Sequence, residues 1–194
     1  MILLSFLLLV AKPALGDTPT PIQEDVLGIW FDEEATVYCL DTQVPGEEFD
    51  AYVAVAPLSH SIQVYEFSIT VENSEAVENL QAGQLGGLNY YDHGLDFIVL
   101  TCPAPPGPAD VVLLVHVSGS IIDPEEQVLF FLGPVPDSQS EFSPGYYPWV
   151  DTCFPFHPSS GSWDLPVAAI NGGDPCAVIP RDEMSWSAVK TLYR

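Results

Sequence analysis

Along the chain, short runs of β-branched and aromatic residues alternate with clusters of Pro, Gly, Asn and Asp. The clearest run is Ile62–Val71. Gln63, Tyr65, Phe67, Ile69 and Val71 fall on one side, and Ile62, Val64, Glu66, Ser68 and Thr70 on the other. A period of two places alternate side chains on opposite faces of a strand, and the first set is the expected buried face. Val26–Phe31, Thr36–Leu40, Phe49–Ala56, Leu95–Thr101, Asp110–Val117 and Gln127–Leu132 read the same way. Val111 to Val115 is apolar at every position, which predicts a central strand covered on both faces. Short strands separated by turn residues, with no helical period among them, predict an all-β antiparallel sandwich.

Two regions depart from that pattern. Residues 133–162 hold Pro134, Pro136, Pro144, Pro148, Pro155 and Pro158 together with Phe142, Tyr146, Tyr147, Trp149, Phe154 and Phe156. Proline lacks the donor that a central strand requires, so this stretch predicts a long ordered loop packed over the sandwich. The last ten residues predict a short C-terminal helix, with Trp186, Val189 and Tyr193 on one face and Lys190 and Arg194 at its end. The expected organisation is a signal peptide over 1–16, a leader over 17–25, the sandwich domain over 26–180 and an amphipathic tail over 181–194.

Charge then removes whole classes of function. The 194 residues carry 27 Asp+Glu against 4 Lys+Arg, a formal net charge of -23. Binding nucleic acid relies on clustered Lys and Arg that displace counterions, and this chain has none to offer. Between Pro13 and Pro180 there is no Lys or Arg at all; Arg181, Lys190 and Arg194 all lie in the tail. Met1 to Ala11 is apolar apart from Ser5 but too short to span a bilayer, so no transmembrane anchor is expected from it. Ala14-Leu15-Gly16 supplies small residues for cleavage after Gly16, which predicts export and a secreted or cell-surface protein. In that compartment an even cysteine count reads as two disulfides, and Cys39, Cys102, Cys153 and Cys176 allow three connectivities.

Gly28-Ile29-Trp30-Phe31-Asp32 followed by Cys39, and the ending Ile170 to Cys176 followed by Ser185 to Arg194, resemble uncharacterised secreted bacterial β-sandwich proteins. The strand order between them is similar to that of Ig-like and cohesin-like sandwiches, non-catalytic adhesion or scaffold modules. The resemblance implies compartment and fold, and it partly carries the pairing we favour, Cys39 with Cys176 and Cys102 with Cys153. Cys153–Cys176 is the competing bridge.

Candidate chemistry is sparse. Asp32, Glu33 and Asp174 head the acidic clusters that could offer hard oxygen ligands to Ca²⁺, although none has EF-hand spacing, and solvated turn residues would look the same. Tyr146, Tyr147 and Trp149 beside Asp151 could form a stacking platform for a sugar ring. The competing reading packs these rings between loop and sandwich, because six aromatics cannot all stay in water. His116, inside the apolar strand, is expected to hydrogen-bond on one face of the sheet, and His93 to lie in a surface turn. No Gly-x-Ser-x-Gly elbow, phosphate loop or dinucleotide fingerprint occurs. The tail, through Trp186, Val189 and Tyr193, is expected to cover its own domain, to dock on a neighbour's acidic surface or to act as a sorting signal. The expectation is a non-catalytic binding or structural module whose partner is another surface protein or a glycan. The alternative is a secreted carbohydrate-active enzyme or glycan-binding accessory domain.

Overall fold

The computed structural model of the chain describes residues 23–91, 94–101, 111–149 and 152–172, except for the side chain of Trp149. The expected signal peptide, most of the leader, Cys102, Asp174, Cys176 and the tail with Trp186, Val189 and Tyr193 lie outside the described residues.

The described residues form thirteen strands: β1 (Val26–Trp30), β2 (Cys39–Leu40), β3 (Glu47–Val55), β4 (Val64–Glu72), β5 (Val77–Gln84), β6 (Leu88–Asn89), β7 (Asp96–Leu100), β8 (Val112–Ile121), β9 (Val128–Gly133), β10 (Gly145–Trp149), β11 (Thr152–Pro155), β12 (His157–Pro158) and β13 (Ala168–Ile170). Among the described residues the only helical element is a 3₁₀ turn at Ser74–Ala76. The fold is an all-β sandwich. One sheet runs β12-β1-β3-β8-β5, and the other runs β11-β10-β4-β9-β13-β2, with β7 and then β6 on the remaining edge of β4. The expected antiparallel pairing holds except at two short junctions, where β1 meets β12 and β2 meets β13 in parallel.

The alternation read over Ile62–Val71 holds within β4, but before it Ile62, read on the outer side, is buried in the core and Gln63 is only half-buried. Tyr65, Phe67 and Ile69 point into the core with Phe97 and Val99 of β7 and Val128, Phe130 and Leu132 of β9. Facing them are Leu27 and Ile29 of β1, Phe49, Ala51, Val53 and Val55 of β3, and Val115, Val117 and Ile121 of β8. Phe31, Phe49 and Phe130 meet edge to face, with ring centroids 6.1 to 6.3 Å apart. Gly119 lies opposite Phe49 in the ladder, and a Cβ there would come within 3.0 Å of the Phe49 ring. Gly28 likewise leaves room for the Trp30 indole, which a Cβ would approach to 2.6 Å.

β8 is central, as its apolar run predicts, between β3 and β5. A bulge opposite Val53 and Ala54 turns the Leu114 carbonyl to accept the Tyr65 hydroxyl at 2.9 Å, which satisfies a phenol buried in the core. Only part of the strand is covered on both faces. Trp30, Ala35 and Ala54 shield Val111 and Leu113, whereas His116 looks outward and is half-exposed.

The stretch 133–162 is not one loop. β10 lies between β4 and β11 despite holding Pro148. The ladder tolerates it because pairing with β4 ends at Tyr147, and the register with β11 breaks between Tyr146 and Trp149. Pro148 therefore sits where no ladder donor is required. The strand β5 gave no sequence signal, being a polar edge strand interrupted by a bulge at Asn79 with φ 56°.

Truncating the one fully buried ring of the three that meet edge to face tests this core: Phe130→Ala should cost about 3–5 kcal/mol in chemical denaturation. A loss below about 1 kcal/mol would show that the sheets do not meet through this cluster.

Candidate functional site

Glu66 stands on the outer face of β4, where the sequence pattern expects solvent. It is nonetheless only 5% exposed. The register explains the position: Glu66 lies opposite Ile98 of β7 on one side and Gly145 of β10 on the other. The loop 134–144 covers it from above, anchored by the buried Val135. The Ser138 hydroxyl donates to Glu66 Oε1 at 3.0 Å, and no donor reaches Oε2 among the described residues.

Around this carboxylate is a partly open cavity of about 350 Å³, lined by Glu66, Ile98, Tyr91 and Tyr147 and by Asp137 to Ser140 of the loop. Its hydroxyls form an ordered frame. The Tyr91 hydroxyl donates to the Pro136 carbonyl at 3.2 Å, and the Tyr147 hydroxyl to Ser140 Oγ at 2.9 Å. The Ser140 amide donates to Ser138 Oγ, and the Phe142 amide to Ser140 Oγ. Burial raises the Tyr147 phenol above its ordinary value. Cys153 of β11, a half-buried free thiol, has its Sγ 4.0 Å from Ser140 Oγ. The expected Cys102–Cys153 bridge is therefore not formed, and Cys153 is fixed by its place on β11 next to β10. Cys39 is disulfide-bonded, to a partner outside the described residues.

Among the described side chains of the proposed sugar platform, Tyr147 alone lines this cavity; the Trp149 side chain and Asp151 lie outside the described residues. Tyr146, one position earlier on the strand, faces the opposite way and is fully buried, stacked on Phe154 and Phe156 at 5.6 and 5.1 Å. It presents no face to a ligand, so the gap-filling reading holds for this ring. The Asp32 carboxylate accepts from the Thr36 and Val37 amides and the Thr36 hydroxyl, which closes the 32–37 loop. Glu33 instead takes the Tyr52 hydroxyl at 3.4 Å. The two residues serve separate roles and form no shared cation cage.

Two polar clusters lie elsewhere. On the outer face of the five-stranded sheet, His116 Nε2 bonds Asp50 Oδ1 at 2.7 Å, fulfilling the expectation that this histidine finds a partner within the sheet. At the start of β1, buried Asp25 receives the Ser59 amide at 2.8 Å and the Ser59 hydroxyl at 2.6 Å. Ser59 Oγ also lies 2.8 Å from His60 Nδ1 and 2.9 Å from the Tyr146 hydroxyl. With its one proton directed to Asp25, Ser59 is an acceptor for both, so the arrangement pins the entering chain to β10. A triad instead places histidine between serine and acid.

Sequence reasoning missed Glu66, Ser138, Ser140 and Tyr91. Nothing local marks Glu66, because its burial comes from a loop some seventy residues later. Compared with known protein families, curated proteins and solved structures, the chain shows no match in any of the three.

Burial also pushes the Tyr65 and Tyr146 phenols well above the ordinary value near 10. The neutral form is favoured in the folded state, so this stabilisation is complete below about pH 10 and lost as pH rises through the higher folded values. The unfolding free energy from urea titration should fall from about pH 10 upward, by at most about 1.4 kcal/mol per pH unit for each such tyrosine, and the midpoint with it. A midpoint unchanged between about pH 9 and 11.5 would contradict the burial of these hydroxyls.

Proposed function

We propose that the domain is a non-catalytic binding module, secreted or displayed at the cell surface, that takes its ligand in the Glu66 cavity. The observation that carries this reading is a buried carboxylate with one open oxygen at the floor of a cavity whose walls are already held in place. A volume near 350 Å³ suits a small group or a single side chain. Preorganised walls avoid an ordering cost on binding. The Ig-like or cohesin-like character remains part of this proposal, as does the likeness to secreted bacterial sandwiches. The glycan-binding alternative keeps one observation in its favour, the place of Tyr147 on the cavity wall.

Export is supported by where Cys39 lies. It pairs in the ladder with Ala169, one residue before β13 ends at Ile170, and Asn171 then clamps Thr42 through its side chain. Cys176 follows six residues after Ile170, across Gly172-Gly173-Asp174-Pro175, a turn-forming sequence. Cys102 follows Leu100, which pairs with Val64, whereas Cys39 lies beyond β9 and β13 at the level of Glu72. Leu100 and Cys39 are thus about 30 Å apart, more than the two further residues to Cys102 can close to bridging distance. We therefore keep Cys39–Cys176 as the proposed disulfide.

Two measurements test the proposal. In ¹⁵N–¹H correlation spectra, a mixed panel of monosaccharides and amino-acid amides should contain a compound that moves the Ile98, Ser138, Gln139 and Ser140 amides together and saturably. A panel that leaves all four still would overturn the cavity as the binding site. Non-reducing peptide mapping of the exported protein should join Cys39 to Cys176 and find Cys153 alkylated without reduction, and a Cys39–Cys102 peptide would refute the pairing.

A further inference from the structure

The hydrogen bonds around the cavity decide what kind of ligand it suits. The Tyr91, Tyr147 and Ser138 hydroxyls each direct their single proton into the frame, to Pro136 O, Ser140 Oγ and Glu66 Oε1. Gln139 directs one amide proton to the Asp137 carbonyl. Toward a ligand the site turns Glu66 Oε2 and the exposed Asp137 carboxylate at the rim, and the donors left over are the Ser140 hydroxyl and the second Gln139 amide proton. Carboxylate oxygens of this kind suit a ligand rich in donors. An ammonium group carries three donors and no acceptor, and a guanidinium carries five. Tyrosine rings line the same space, and aromatic faces attract cations.

Glu66 is buried and, among the described residues, only Ser138 donates to it, so its second oxygen is left to pair with a cation. Residues 14–180 contain no Lys or Arg, so a basic side chain at this oxygen comes from outside the sandwich. We infer that the cavity is a receptor for a cationic side chain, a lysine ammonium or arginine guanidinium, with Glu66 Oε2 as the counter-ion. This rests on the binding reading above and specifies its ligand. The chain holds three such groups beyond the sandwich: Arg181, Lys190 and Arg194. Ile170 and Cys39 each lie about 25 Å from Glu66 along and across the sheet, and with Cys176 bridged to Cys39 the fourteen residues from Cys176 to Lys190 span up to about 45 Å when extended. Lys190 and Arg194 are thus within reach of the cavity in the same molecule, and a second molecule or another surface protein could supply the same group.

The probe is Nα-acetyl-lysine methylamide titrated into the full exported chain, followed by the Ile98, Ser138, Gln139 and Ser140 amides. The expected result is saturable shifts, with affinity weakened about tenfold or more in Glu66→Gln, which keeps the side-chain shape and an acceptor for Ser138. The norleucine analogue, which lacks the ammonium, should leave these amides in place. Should Glu66→Gln not fold, affinity of the unaltered chain that falls with added salt while the norleucine analogue stays inert gives the same support. If the norleucine analogue or a neutral hexose moves the four amides as strongly as the lysine probe, the cationic assignment is wrong while the cavity remains a binding site. If no probe moves them, both fail. The source is read from Arg181→Gln/Lys190→Gln/Arg194→Gln. Cavity amides that shift on this change, with tighter lysine-probe binding, identify the tail as occupant; unchanged amides and affinity identify an external lysine or arginine.

Discussion

A carboxylate buried in this chain cannot look to lysine or arginine, because the sequence supplies neither between Pro13 and Pro180. Much of the local structure follows from that constraint. Asp25 is held by the amide and hydroxyl of Ser59, and Asp32 by Thr36 and Val37. Glu47 takes the Gln43 amide, Asp123 the Glu125 amide, and Glu66 the Ser138 hydroxyl. Neutral donors satisfy hydrogen-bonding capacity without cancelling charge. Most of these acids sit at the surface, where water completes the task. Asp25 and Glu66 do not, and on β4 this sets Glu66 apart from the exposed Glu72.

The cavity is a consequence of how the larger sheet branches. β10 and β9 take successive parts of one edge of β4, with β7 on the other, so the outer face of β4 is flanked on both sides. The chain between β9 and β10 must cross that face. It does so as a proline-punctuated loop tied down by Val135, Ser138 and Ser140, and the space left beneath it is lined by whatever β4 and β7 present outward. A loop that closed down fully would have buried Glu66 against apolar neighbours. The one that is present keeps the acid's second oxygen facing an open, hydroxyl-lined volume.

The same branching organises the cysteines. Cys153 lies on β11, at the end of the sheet that holds the cavity, while Cys39 lies on β2 at the far end, beside the strand from which the chain leaves toward Cys176. The Asn171–Thr42 clamp fixes that exit. The cavity and the chain exit beside β2 thus lie at opposite ends of the sheet, and Arg181, Lys190 and Arg194 follow that exit in the sequence.

Period-two alternation in Ile62–Val71 and the apolar run from Val111 were enough to place strands and a two-layer core, because that signal is local and repeats along each strand. Acid excess and the confinement of Arg181, Lys190 and Arg194 to the tail were equally plain. The polar edge strand β5 and the proline-bearing β10 were hidden, since pairing partners rather than side-chain pattern hold them. The site was hidden for a deeper reason. Alternation assigns Glu66 to solvent and cannot know that Ser138, seventy-two positions later, will close over it. Whether an outward side chain stays in water is decided by which loop crosses it, and that is a property of sheet order and register, which only the assembled fold possesses.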